Sequence, residues 1–118
     1  MKDIRALIIR PDGIEEKTIS QDLETFQSLV GGYVETIKLS YDMTALVNEE
    51  GKMLKLPRNE KATTLCDLCE IGWHDDDFVC GTMVVVAQVD QEGHFRSLSR
   101  EFIDKFKRVN TVFGELTE

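Results

Sequence analysis

Apolar and polar positions alternate from Ile4 to Arg10, with Ile4, Ala6 and Ile8 on one side of an extended chain and Leu7 and Ile9 on the other. Both sides are mostly apolar, so the pattern predicts an inner strand. Pro11-Asp12-Gly13 supplies turn chemistry, and the more polar segment from Ile14 to Ile19 returns as the second arm of a hairpin. Ser20 or Asp22 can cap the next helix, whose buried stripe is Leu23, Phe26, Leu29 and Val30. Gly31-Gly32 reads as its stop, because glycine accepts the left-handed conformation that closes helices. A diglycine can also let a ligand approach the backbone closely.

The stretch from Tyr33 to Leu39 predicts a strand with Tyr33, Glu35, Ile37 and Leu39 on one side. An apolar side thus carries a carboxylate. Packed on the core, Glu35 would be partly buried and would need a donor; at a sheet edge it would reach water. The alternation fits both. Met43 to Asn48 predicts another strand, Glu49-Glu50-Gly51-Lys52 a hairpin turn, and Met53 to Leu56 the returning strand, stopped by Pro57. Asn59 is placed as N-cap of a helix from Glu60 to Leu68, with Ala62, Leu65 and Cys69 on one face and Leu68 beside them.

Gly72 to Asp77 is a loop carrying the acidic run Asp75-Asp76-Asp77. Phe78 to Val89 is apolar on both sides and β-branched, which predicts one continuous strand at the centre of the sheet. After a turn at Asp90-Gln91-Glu92-Gly93, Ser97 or Ser99 caps a last helix with Phe102, Ile103, Phe106 and Val109 as its buried stripe. Residues 1–110 then make one domain, and 111–118 a tail anchored by Phe113. The order β-β-α-β-β-β-α-β-α predicts a single compact α+β domain, a mostly antiparallel mixed sheet packed with about three helices.

Composition narrows the class. A chain of 118 residues can bury an ordinary core without staples, and 42% hydrophobic with 31% charged residues is a globular balance. The longest apolar run, Met83 to Ala87, is too short to cross a bilayer, which argues against a membrane partner. The opening Met1-Lys2-Asp3-Ile4-Arg5 carries no apolar signal core, so the expected location is the cytoplasm. A net charge of −8 repels phosphate backbones and disfavours direct nucleic-acid binding. It admits a second idea, an acidic mimic of DNA. The acids of Asp12 to Glu16, Glu49-Glu50 and Asp75 to Asp77 fall mainly in turns, however, which suits ordinary solubility. Lys105, Lys107 and Arg108 cluster near the end of the last predicted helix, where cations suit the helix dipole.

The sharpest chemical pattern is Cys66, Cys69, His74 and Cys80, three thiols and an imidazole that could hold a tetrahedral zinc. Against it, Cys80 falls inside the predicted central strand, where cysteine behaves as a small core hydrophobe. The alternative is packed cysteines and a loop histidine. No glycine-rich phosphate loop or nucleophile elbow is present, so an enzyme is the less favoured class; its candidate acid or base would be Glu35. Trp73, beside His74, either covers one end of the core or belongs to an exposed recognition loop.

One resemblance joins several of these pieces. Leu23 to Glu35 holds a helix, then Val-Gly-Gly, an aromatic residue and a glutamate; Val47 to Lys52 reads VNEEGK; Leu56-Pro57 precedes Asn59, and Ala62-Thr63 follows; Gly81 to Val86 is a glycine and then a valine strand. In this combination the chain resembles the domain of unknown function family 3846, small proteins of bacteria, phages and other mobile elements. The resemblance implies a compact α+β module without an established activity. A non-enzymatic accessory protein is therefore expected, one that interferes with host defence by binding a small-molecule ligand or a host protein. The cysteines are not part of the family pattern, which weakens the zinc reading. A ligand pocket is expected around Tyr33, Glu35, Asn48, Asn59, Lys61 and Thr63. Apolar strand edges could also support a homodimer.

Overall fold

A computed structural model describes residues 3–117 except Asp75 and Val89, with side chains as far as Asn110. Strands β1 (Ile4–Arg10) and β2 (Gly13–Ile19) form the predicted hairpin, running from Ile4 opposite Ile19 to Arg10 opposite Gly13. Asp22, not Ser20, caps α1 (Leu23–Val30): its carboxylate accepts from the Thr25 N–H at 2.7 Å. The helix closes at Gly31, whose φ is 82°. Strands β3 (Val34–Ser40) and β4 (Met43–Asn48) pair next, with a register shift between Lys38 and Ser40.

The chain then departs from expectation. Met53 to Leu56 forms no strand. Strand β4 already has neighbours on both sides, so no ladder is open to a returning arm. The segment winds instead through local turns, with the Leu54 N–H donating to the Glu50 carbonyl at 2.9 Å and the Leu56 N–H to that of Gly51 at 3.0 Å. A short β5 (Arg58–Asn59) follows and leads directly into α2 (Glu60–Leu68).

The predicted strand from Phe78 to Val89 is two strands, β6 (Val79–Cys80) and β7 (Met83–Ala87). The break is at Gly81, with φ of +86°, where a Cβ would sit 2.8 Å from Leu56 Cδ1. The left-handed backbone favours glycine, and an added side chain would have to displace the tip of Leu56. Strand β6 pairs with β5 in a separate two-stranded sheet, while β7 takes the centre of the main sheet, ordered β2-β1-β7-β4-β3 and antiparallel at every pairing. The last helix, α3 (Arg100–Thr117), has its first turn capped by Ser99, whose Oγ accepts from the Phe102 N–H at 3.2 Å. Helix thus continues through the stretch expected as a tail, and the Phe113 side chain lies outside the described residues.

The alternation along β1 and β7 serves two cores. Ile4, Ala6, Ile8, Val84 and Val86 face α1 through Phe26 and Val30. Leu7, Ile9, Met83 and Val85 face α2 and α3 through Leu65, Cys66 and Ile103. The result is three layers: one helix, the sheet, then two helices. Each fully buried valine of the Val84–Val86 triplet contributes on the order of 2 kcal/mol of apolar burial. Among the described residues no helix is long and apolar enough to cross a membrane.

Candidate functional site

Helices α2 and α3 share one sheet face, and each turns a second apolar stripe toward the other. On α2 the stripe is Leu65, Leu68 and Cys69; on α3 it is Phe102, Phe106 and Val109. The spacing is helical on both, so these residues lie on one side of each cylinder. Ala62 and Cys66 hold α2 to the sheet, and Ile103 holds α3. The surface left between them is an apolar groove of 470 Å³. Phe102 and Phe106 stack along one wall with ring centroids 6.0 Å apart. At the mouth, Leu68 is 69% exposed and Val109 54%. Periodicity sets Val109 in the buried stripe of α3 and Leu68 beside the apolar face of α2.

Charge at the groove is uneven. Glu60 on its rim is ion-paired with Arg58. Lys61 and Lys105, also on the rim, form no ion pair with a described residue. The basic cluster of α3 is therefore not a helix-end feature, because the helix runs on to Thr117. Lys107 reaches the Glu16 carboxylate of β2 at 3.2 Å, and Arg100 pairs with the same carboxylate. These donors hold the Glu16 carboxyl at a pKa of about 2 and fasten α3 to the β1–β2 hairpin.

A second cleft, of 340 Å³, opens beside the β3 edge. Its floor is Ile37, Val47 and Phe78, and Glu35 stands on its rim. Its polar side chains divide: Asn48, Lys52, Trp73 and Asp77 have partners within the chain, whereas Glu35, Glu49 and Glu50 form no ion pair with a described residue. Lys52 pairs with Asp77, and that ammonium holds the Asp77 carboxyl below the usual range. The Phe78 ring lies 4.8 Å from Lys52 Nζ and 4.4 Å from the Arg58 guanidinium carbon. Trp73 is half-buried against the α2–α3 core and donates its indole N–H to Asp67 at 3.0 Å.

Of the six residues expected around a ligand pocket, Glu35 and Asn48 line the 340 Å³ cleft together, and the other four lie elsewhere. Glu35 is exposed on the edge strand β3. Tyr33, 65% exposed, shares a hollow of 260 Å³ with Asn48, on the α1 side of the turns. Asn48 is buried; its amide donates to the Val30 carbonyl at 3.1 Å and accepts from the Glu50 N–H at 2.8 Å. A Cβ at position 32 would lie 3.0 Å from that amide nitrogen, so the second glycine of the pair makes room for a side chain of the fold itself. Asn59 and Thr63 are buried and hydrogen-bonded to the backbone of β1, β6 and α2. Lys61 alone of the six lines the α2–α3 groove.

The zinc pattern is dispersed in character. Cys66 is buried in the core, Cys69 lies in the groove wall, Cys80 is half-buried on β6, and His74 is exposed. Among the described residues no three His, Cys, Asp or Glu side chains are grouped to hold a metal ion. Burial, with the nearby Cys69, Asp67 and Asp77, pushes the Cys66 thiol up to about 12, and burial raises Cys69 as well.

Residues of the family-like segments gather at one corner. Asn48 ties the end of α1 to the turn after β4, and a Cβ on Gly51 would lie 2.7 Å from the Cys80 carbonyl oxygen. The architecture as a whole is that of an α+β domain, an antiparallel sheet between one helix and two, with an apolar groove in the paired layer. The chain belongs to the family described as Domain of unknown function (DUF3846), whose model matches residues 4–111. No curated protein and no solved structure matches the chain.

Proposed function

We propose that this protein is a small non-enzymatic binding module whose site is the α2–α3 groove. The observation that carries this reading is an apolar cavity of 470 Å³ whose mouth leaves Leu68 and Val109 in water. A size of a few hundred Å³ with apolar walls and few polar groups is what small-molecule sites offer (roughly 300–1,000 Å³). Its polar lining suits holding more than transforming: two lysines, a glutamate taken by Arg58, a threonine, an asparagine and a thiol whose pKa is raised. In the phage or mobile-element setting implied by the family likeness, such a module would act in the host cytoplasm as an accessory protein. It would work by sequestering a ligand or by covering an apolar segment of a host protein.

Mimicry of DNA is less well supported. Glu15, Glu16, Glu60 and Asp77 are ion-paired, and Asp22 and Asp90 accept from backbone N–H groups, so these acids are engaged in holding the fold.

The test is binding of an environment-sensitive apolar fluorophore to the full chain. Leu68→Lys and Val109→Lys alter exposed positions and should leave stability within about 0.5 kcal/mol. Each should weaken the fluorophore at least tenfold. Unchanged binding in both variants would place the site elsewhere.

A further inference from the structure

We infer that the groove takes a ligand built from one unbranched alkyl or acyl chain ending in a single anion, a long-chain carboxylate being the simplest. This rests on the groove being the binding site. Three features select that chemistry. The walls are hydrocarbon and aromatic: Leu65, Leu68, Phe102, Phe106 and Val109. They offer a chain contact along its length, and the uncharged polar groups beside them are few, Thr64, Cys69 and Asn110. The space of 470 Å³ suits one chain more than a bulky multi-chain lipid.

The third feature is the rim. Five basic side chains pair within the fold: Arg10 with Glu15, Lys52 with Asp77, Arg58 with Glu60, and Arg100 and Lys107 with Glu16. Lys61 and Lys105, like Lys17, Lys38, Lys55, Arg96 and Arg108, form no ion pair with a described residue, and of these Lys61 and Lys105 line the groove. Lys61 is half-buried in the groove lining, and a lysine so placed can cover apolar surface with its methylene stem while its ammonium reaches water. An anion there meets two cations that form no ion pair with a described residue, and the one carboxylate of the lining, Glu60, is paired with Arg58. The overall charge of −8 works against a polyanion and costs a single carboxylate little, because distant surface charges are screened within about 8 Å at physiological salt.

The experiment is calorimetric titration of the full chain with octanoate, decanoate and dodecanoate below their micellar concentrations, beside dodecanol and a dodecyl trimethylammonium salt. Affinity should rise roughly tenfold for every two added methylenes. Dodecanoate should bind at least tenfold more tightly than the dodecyl cation. In a Lys61→Glu, Lys105→Glu double variant of unchanged melting temperature, that preference should reverse. Equal binding of dodecanoate, dodecanol and the dodecyl cation would overturn the inference about the anion and leave the groove reading intact. So would a preference untouched by the double variant. Absence of all alkyl binding would overturn the inference as well, and the groove reading would then be decided by the fluorophore and the Leu68→Lys variant.

Discussion

Asn59 donates its side-chain amide to the Gly81 carbonyl oxygen at 2.8 Å, at the point where the chain leaves β6 to become β7. The same amide nitrogen donates to the Ile9 carbonyl at 2.8 Å, and Oδ1 accepts from the Ala62 N–H at 3.0 Å. The Thr63 hydroxyl donates to the Asn59 carbonyl and accepts from the Val79 N–H. One fully buried side chain therefore joins the end of β1, the break between β6 and β7, and the first turn of α2.

Asn59→Ala should be among the most damaging single substitutions. It removes a helix cap and leaves two buried carbonyls without a donor, a combined loss of about 3 kcal/mol. Asn59→Asp keeps the cap acceptor but sets a carboxylate against the Ile9 and Gly81 oxygens, so it should not rescue. Urea unfolding of the two variants beside the parent checks both statements. A loss confined to the cap would spare Asn59→Asp.

Gly81→Ala should cost about 1–3 kcal/mol, since it forces a Cβ into a left-handed position and against Leu56. Gly13→Ala is the matching control. That position has open space around an added Cβ, and its substitution should stay within about 0.5 kcal/mol of the parent. Thermal unfolding of the pair measures the difference.

The Glu16 ion pairs should make stability pH-dependent in a defined window. The carboxyl is held at about 2 in the fold against 4.5 when free, so the unfolded chain binds the proton first as pH falls. Stability from these pairs is complete above pH 4.5 and is lost progressively toward pH 2. Glu16→Gln should flatten the fall in stability across that window, and chemical unfolding at stepped pH should show it. A parallel curve for the variant would mean that other carboxyls dominate.

Cys66 should be the least reactive thiol of the native chain. It is fully buried and its pKa is pushed up to about 12, so little thiolate forms at pH 8. Alkylation of the folded protein followed by peptide mass analysis should find Cys66 unmodified until urea unfolds the chain. Early labelling of Cys66 would show that α2 opens locally.

The sequence by itself determined much of the local structure: the first hairpin, the three helices, the left-handed stop at Gly31, the Asn59 cap and the two apolar faces of the valine strand. Each follows from nearest-neighbour rules, in which side-chain period and capping chemistry act over a few residues. The family likeness was legible too, because its motifs hold close-packed turns and short spacings. Only the tertiary structure decided whether Met53 to Leu56 could pair, since that depended on both sides of β4 being taken. It also decided that the chain breaks at Gly81, where a left-handed residue lets β6 leave for the sheet of β5 and β7 enter the main sheet. Glu35 is exposed because β3 is an edge strand, a position that the alternation of apolar and polar residues cannot specify. Most of all, the groove arises where two helical stripes meet across the same sheet face. A one-dimensional pattern counts Val109 in a buried stripe and sets Leu68 beside one, and long-range packing leaves both at the mouth of an open cavity.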